Sequence, residues 1–245
     1  MVALDEVDST SDRAAQLVRQ DGLALPLCVW ARRQTRGRGR GRHSWWSDLG
    51  SLTFTLAIDP DEHGLAEASE PKLALTTAVA VVDAIVELGF DSPAMGIRWP
   101  NDVEVDGRKL AGILPERVET THGRRVLIGV GINVMTDAAA MPGEVRQMAT
   151  SLSAMGGDRV GAATLPRLLA AILGRFGTML GRLVGEDPEL ARRWNALDLL
   201  RDEWVSVDLG SRIVAGRGCG IDADGALCLD DGNAHLHLSG GQVLR

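Results

Sequence analysis

Residues 98–114 read Arg98-Trp99-Pro100-Asn101-Asp102-Val103-Glu104-Val105-Asp106-Gly107-Arg108-Lys109-Leu110-Ala111-Gly112-Ile113-Leu114 and concentrate groups able to do chemistry. Lys109 is one of two lysines among 26 basic residues, so a chain that otherwise writes arginine keeps an ammonium here. An ammonium is a compact point charge, whereas a guanidinium is a broad planar fork. Lys109 reads either as a surface charge or as a ligand for a small anion. Asn101 and Asp102 read either as turn formers behind Pro100 or as side chains facing the same pocket as Lys109. A carboxylate among cationic phosphate ligands suits magnesium, which usually takes one or two protein carboxylates plus phosphates. Asp102 is the candidate metal ligand.

A second chemical stretch is Gly37-Arg38-Gly39-Arg40-Gly41-Arg42. Alone, it reads equally as a solvated basic loop or a nucleic-acid-binding tract. It differs from disordered arginine–glycine tracts in lying between two predicted strands. Glycines there let the backbone approach a ligand, with amides facing phosphate oxygens. Alternate arginines add bidentate, permanently charged contacts. That chemistry suits a nucleotide phosphate or an acyl-phosphate intermediate. It is not a P-loop, because the Gly-Lys-Ser/Thr ending is missing. Gly129-Val130-Gly131-Ile132-Asn133 reads as a tightly packed central strand, with Asn133 a polar exception suited to ligand contact. His235 and His237 share one strand face, but zinc wants three or four ligands and no third lies nearby in sequence. They read as surface histidines. No nucleophile elbow is present.

These residues need elements to hold them. Asp8-Ser9-Thr10-Ser11-Asp12 caps a helix over Arg13 to Gln20, closed by Gly22. Leu27 to Arg33 reads as a buried strand. Leu52, Phe54, Leu56 and Ile58 alternate with Ser51, Thr53, Thr55 and Ala57 as a strand with one apolar face. Lys72 to Leu88 is an apolar helix. Val103 to Val105 and Lys109 to Leu114 form a hairpin on Asp106-Gly107, and Val126 to Val134 pairs on after the turn Thr121-His122-Gly123. Helices follow at Leu165 to Val184 and Glu189 to Leu199. Beyond residue 200, short strands at Trp204 to Val207, Arg212 to Arg217, Ala226 to Leu229 and Ala234 to Leu238 read as a small barrel or sandwich. The chain shows no internal repeat and no long disordered linker.

At 245 residues there is room for one large domain, or a large one plus a small one. A net charge of −7 argues against a protein devoted to wrapping nucleic acid. Three cysteines without a Cys-x-x-Cys pair fit a reduced compartment. There is no signal pattern and no apolar run long enough to span a bilayer, so the expected location is cytoplasmic, without membrane contact.

Taken in order, several of these elements resemble the biotin–protein ligases. They are Asp8-Ser9-Thr10, Gln34-Thr35 with Gly37-Arg38-Gly39-Arg40, Trp45, Arg98-Trp99-Pro100-Asn101-Asp102, Arg108 to Leu114, and Gly129 to Asn133. Gly220-Ile221-Asp222 and Gly225-Ala226-Leu227 resemble that family's small C-terminal domain. Three departures stand out. Ser11 replaces a common Asn, Arg42-His43-Ser44 precede Trp45 in an atypical loop ending, and Arg98 replaces a more usual Lys.

The resemblance implies an α/β (α+β) fold: a class II aminoacyl-tRNA synthetase-like catalytic domain over residues 1–199, with a mixed sheet and flanking helices. An SH3-like β-barrel would follow over residues 200–245. It implies ATP and Mg2+ as co-substrate and metal, biotin as substrate, and a biotin carboxyl carrier domain as partner. Biotinyl-5′-AMP would form first, followed by transfer to the carrier lysine. By analogy Ser9, Thr10 and Gln34 would hold the ureido end of biotin. Gly39, Arg40 and Lys109 would surround carboxylate and phosphate, with Arg38 ordering the loop, and Lys109, Arg40 and Arg38 would be the catalytic residues. Gly112 and Ile113 would line the biotin pocket, Asn133 and a tryptophan face would meet the nucleotide, and Ser11, Gly37 and Trp45 would be further contacts to biotin or the adenylate. Asn101 and Asp102 would position ATP and magnesium. Some members carry an N-terminal DNA-binding domain. With the Ser-Thr element starting within ten residues of Met1, the expectation is a monofunctional ligase, monomer or homodimer, without operator binding. The rival expectations are a lipoate or octanoate ligase of the same fold, and a non-catalytic biotin- or RNA-binding module.

Overall fold

Capping and turn chemistry set the first elements of this computed structural model, which describes residues 1–41 and 43–244. Arg42, the last arginine of the glycine loop, lies outside the described residues. Strand β1 (Val2–Val7) leads into helix α1 (Thr10–Leu17), whose N-cap Ser9 accepts from the Asp12 amide. The helix ends three residues before the expected Gln20. Gly22, at φ 73°, then turns the chain into β2 (Leu27–Gln34), which runs parallel to β1. A narrow antiparallel ribbon follows, β3 (Gly37–Arg38) with β4 (Ser44–Trp45), where the sequence suggested only a loop. Next come β5 (Ser51–Ile58), helix α2 (Leu73–Glu87), β6 (Met95–Arg98), β7 (Asp102–Val105), β8 (Arg108–Thr120) and β9 (Gly123–Asn133). Among the described residues, seven strands make one mixed sheet in the order β1-β2-β5-β9-β8-β7-β6.

The expected hairpin turn is present. Asp106 (φ 50°) and Gly107 (φ 70°) both take the left-handed conformation that a two-residue turn of this hand requires. Strand β5 departs from the half-exposed pattern, since all eight of its residues are buried. Leu52, Phe54, Leu56 and Ile58 join the main core with α2. The hydroxyl face is covered too, and each threonine there finds a partner: Thr53 Oγ1 donates to Ala31 O at 3.0 Å and Thr55 Oγ1 to Thr10 Oγ1 at 2.9 Å.

Two short helices, α3 (Gly143–Met148) and α4 (Leu152–Gly156), lead to the packing helices α5 (Thr164–Val184) and α6 (Pro188–Ala196). Helix α6 starts on an Asp187 cap with Pro188 in its first turn. Among the described residues, no helix is long and apolar enough to cross a membrane.

The last five strands are β10 (Trp204–Asp208), β11 (Ile213–Ile221), β12 (Leu227–Asp230), β13 (His235–Leu238) and β14 (Gln242–Val243). They form an open antiparallel sheet in the order β13-β12-β11-β10-β14. The expected barrel is not closed, because no β13–β14 pairing is present among the described residues and β14 pairs with β10 over only two positions. Its apolar face is continuous with the main core, since Val205, Val207, Leu227 and Leu229 cluster with α2 and Trp194. Where the segment after α6 runs beside β11, a β-carbon on Gly218 would come too close to Leu200 O for any backbone contact. Gly218→Ala is therefore expected to destabilise the protein by about 2 kcal/mol, read as a lowered denaturation midpoint. An unchanged midpoint would mean the backbones do not approach so closely.

Candidate active site

A cavity of about 820 Å3 opens where the N-terminus of α1, the β3–β4 ribbon, the β6–β7 connection and the faces of β8 and β9 converge. Its two ends differ chemically. One end is a neutral hydrogen-bonding cluster. Thr10 donates to Gln34 Oε1 from its amide (2.7 Å) and its hydroxyl (3.0 Å), and Ser11 Oγ lies 3.1 Å from Thr55 Oγ1. Ser47 Oγ accepts from the Gln34 amide and donates to Gln34 O, which pins that residue's backbone. Ser9, Thr10 and Ser11 are buried and Gln34 is half-buried, so these polar groups are held by one another inside the protein.

The other end is charged. Lys109 Nζ sits 2.7 Å from Asp102 Oδ1 and 5.8 Å from the centroid of the Trp45 ring. A local irregularity puts it there. Glu104 pairs with Lys109 but Val103 with Ala111, so Leu110 is an extra residue in β8. Strict alternation would place Lys109 and Gly112 on opposite faces. The bulge makes them neighbours, and a β-carbon on Gly112 would lie 3.1 Å from Lys109 Nζ. The Asn101–Asp102 loop is tied to the same strand: Asn101 Nδ2 donates to Ile113 O at 3.0 Å and the Ile113 amide to Asn101 O at 2.9 Å.

Glycines form the floor between the ends. A β-carbon on Gly131 would stand 2.4 Å from the Trp45 ring, and one on Gly129 2.8 Å from Ser11 Oγ. Trp45 lies across this floor with its Nε1 buried and unpartnered. The Gly129-Val130-Gly131 run thus admits an aromatic plane that any side chain would exclude.

The two ribbon arginines do different work. Arg38 makes a bidentate pair with Glu116 (2.6 and 2.5 Å) and reaches Asp12 at 3.0 Å, which latches the ribbon to β8 and α1. Glu116 pushes its guanidinium pKa up. Arg40 lines the cavity from its exposed rim and donates to Gly241 O. Burial pushes its pKa down, offset in part by Asp102 nearby, yet a guanidinium stays charged. Arg40 is thus a permanently charged group on the rim of the cavity, close enough to Asp102 to feel its charge and open to an incoming anion. Breaking the Arg38 latch with Glu116→Gln should raise the KM for the anionic substrate about two- to fivefold, the value of a partly exposed ion pair, with little change in kcat. An unchanged KM would mean the ribbon holds its place without the pair.

Of the residues expected from sequence, Ser9, Thr10, Ser11, Gln34, Arg38, Gly39, Arg40, Trp45, Asn101, Asp102, Lys109, Gly112 and Ile113 line this cavity. Gly37 and Asn133 do not. Gly37 pairs with Trp45 in the ribbon, where a β-carbon would meet Trp45 O at 2.5 Å. Asn133 is buried and its Nδ2 reaches Lys109 O at 3.4 Å, beneath the ammonium's own strand. Sequence reasoning missed Thr55, Ser47 and the C-terminal segment Gly241–Leu244, which closes one side of the cavity. Arg98 donates to Leu244 O at 3.1 Å and helps hold that segment in place. No local signal marks such a wall, because it comes from residues more than 100 positions away.

The magnesium expectation can be tested against the donor set. Asp102 offers one carboxylate, at present facing an ammonium, beside a cavity large enough for phosphate and water oxygens. One carboxylate completed by phosphate and water is a usual magnesium environment, so the residues fit.

Comparison with known proteins gives the following. A model of the biotin/lipoate A/B protein ligase family matches residues 4–133. The bifunctional ligase/repressor BirA of Bacillus spizizenii is 31% identical over 238 residues, spanning 94% of this chain and 69% of that protein. The biotin–acetyl-CoA-carboxylase ligase of Mycobacterium tuberculosis is 34% identical over 234 residues, spanning 95% and 82%. Among solved structures, the biotin protein ligase from Aquifex aeolicus in complex with biotin and ATP superposes with a TM-score of 0.82 at 25% identity, over 99% of this chain and 97% of that one.

Proposed function

The chain belongs to the biotin/lipoate A/B protein ligase family, and from that premise we propose that it activates biotin with ATP and transfers it to the lysine of a biotin carboxyl carrier domain. The two-ended cavity carries this reading. Its neutral end, at Ser9, Thr10, Ser11 and Gln34, matches a ureido group, which has donors and an acceptor but no charge. Its cationic end, at Arg40 and Lys109, matches a carboxylate meeting a phosphate. The volume is ordinary for a small-molecule site.

In the first step a biotin carboxylate oxygen attacks the α-phosphorus of ATP, the bond to pyrophosphate breaks, and biotinyl-5′-AMP forms. Lys109 and Arg40 offset the negative charge gathered on the carboxylate and phosphoryl oxygens, as charged groups already in place before the anion arrives. Lys109 exchanges its Asp102 partner for substrate oxygen as the anion enters. In the second step the carrier lysine amine attacks the acyl carbon, AMP leaves, and the amine gives its proton to solvent. No protein nucleophile is needed, so positioning is the chain's main contribution. Arg38 orders the ribbon through Glu116 and Asp12, with Gly39 bringing backbone close to the phosphate. Gly112 and Ile113 flank the biotin chain, and Trp45 presents a ring face to the base. Asn101 holds its loop to β8, and Asn133 supports the Lys109 backbone. Asp102 would hold Mg2+, which when bound offsets phosphate charge. Residues 1–199 are the catalytic unit and 200–245 a smaller one that walls its cavity. The enzyme works in the cytoplasm, where carrier and ATP are found.

Incubation with biotin, ATP, magnesium and a carboxylase carrier domain should add one biotinyl amide to the carrier, seen by mass, and none to a carrier whose target lysine is arginine. Equal labelling of both carriers, or none of either, would contradict the reading.

A further inference from the structure

The C-terminal sheet gathers three ligand-type side chains that this reaction does not use. Strands β12 and β13 pair so that Cys228 stands opposite His237. The turn after β11 brings up Asp222, whose Oδ1 is held by the amides of Asp224 and Ala226, both at 2.9 Å. Its Oδ2 is thereby aimed at His237 Nδ1, 2.8 Å away, and Cys228 Sγ lies 3.6 Å from the same nitrogen. All three donor atoms fall within 4.8 Å of one another.

Two physical points follow. A neutral imidazole nitrogen carries either one proton or one lone pair. His237 Nδ1 can therefore serve the carboxylate or the thiol, but not both; when it serves the carboxylate, the thiol keeps only a long contact to Ala226 O at 3.9 Å, whereas a cation among the three would engage all of them. The spacing also fits. With metal–sulfur near 2.3 Å and metal–nitrogen near 2.05 Å, a tetrahedral site sets sulfur and nitrogen about 3.5 Å apart, against the 3.6 Å found. The carboxylate needs to withdraw from Nδ1 by about half an ångström and to settle about 3.6 Å from the sulfur, starting within the 4.8 Å that spans all three donors. Sulfur and imidazole donors favour zinc-class ions over magnesium or calcium.

We propose that Asp222, Cys228 and His237 form a binding site for a zinc-class divalent transition-metal ion, with solvent in the fourth position. The exposed His237 leaves an entry path. On binding, the Cys228 thiol gives its proton to solvent as the sulfur–metal bond forms. The ion would tie β12 and β13 to the turn whose Gly225 O accepts from Trp99 Nε1 at 3.0 Å, a turn that buttresses the residue leading into the Asn101–Asp102 loop.

The test uses the full chain, stripped with chelator and titrated with Co2+. One equivalent should produce a sulfur-to-cobalt charge-transfer band with a tetrahedral visible spectrum, displaced by Zn2+. Cys228→Ser should remove the sulfur band, and His237→Gln should weaken binding at least about tenfold. Cys219→Ser, at the exposed cysteine of the β11 bulge, should leave both unchanged. A second readout needs no variant: Zn2+ should slow alkylation of Cys228 but not of Cys219. An octahedral spectrum without a sulfur band, a band lost in Cys219→Ser yet kept in Cys228→Ser, or equal alkylation with and without Zn2+ would each overturn the site.

Discussion

Replacing Lys109 by arginine is expected to lower kcat/KM for biotin adenylation by about two to three orders of magnitude, although the charge is kept, as for loss of a preorganised group that stabilises transition-state charge. The ammonium occupies a slot bounded by Asp102 Oδ1 at 2.7 Å, the Trp45 ring and the surface of Gly112. A guanidinium is wider and planar, and its fork prefers two parallel oxygens over a single shared point. It would pair with Asp102 sideways and displace Trp45 rather than reach the reacting oxygens. Steady-state kinetics with thermal denaturation separate the two origins of a loss. The midpoint should barely change, because the pair is partly exposed. Wild-type adenylation by Lys109→Arg would remove Lys109 from the catalytic machinery.

Gly131→Ala should cost about one to two orders of magnitude in kcat/KM with only a modest fall in stability. The new methyl would stand 2.4 Å from the Trp45 ring, well inside any tolerated contact. Trp45 rides on a two-residue strand, so the ribbon can lift rather than the sheet break. A lifted ribbon carries Arg40 away from the charged end, and misplacing a charged group by about 1 Å can cost a hundredfold. A large drop in the denaturation midpoint with normal kinetics would instead mean that Trp45 is a core residue with no role in the site.

Local chemistry explains why so much of this arrangement is legible in the sequence. Asp106-Gly107 dictates its turn through two left-handed residues, and Ser9 advertises a cap by side chain and position. The apolar alternation of Leu52 to Ile58 gives β5 its core face. What stays hidden depends on partners distant in the chain. The bulge at Leu110 arises only when β7 and β8 are laid side by side, yet it decides which face Lys109 occupies. Arg38 and Arg40 look alike in sequence, but Glu116 and Asp12 capture one while Gly241 and the cavity receive the other. Asn133 looks like a ligand contact because it is polar in an apolar run, and the Lys109 carbonyl satisfies it. His237 lacks ligand partners until β12 and the Asp222 turn come together around it. The expected barrel fails for a similar reason, since the pattern of short strands does not encode whether the outer two will meet.

Adenylation of biotin is the reaction proposed for this cavity. Pyrophosphate exchange into ATP by the purified protein, with magnesium and with biotin, lipoate or octanoate added singly, tests it most directly. Exchange with biotin, none with the other two acids, and loss of the biotin signal in Lys109→Arg are the expected results. Exchange with lipoate or octanoate instead of biotin, or no exchange with any acid, would contradict it.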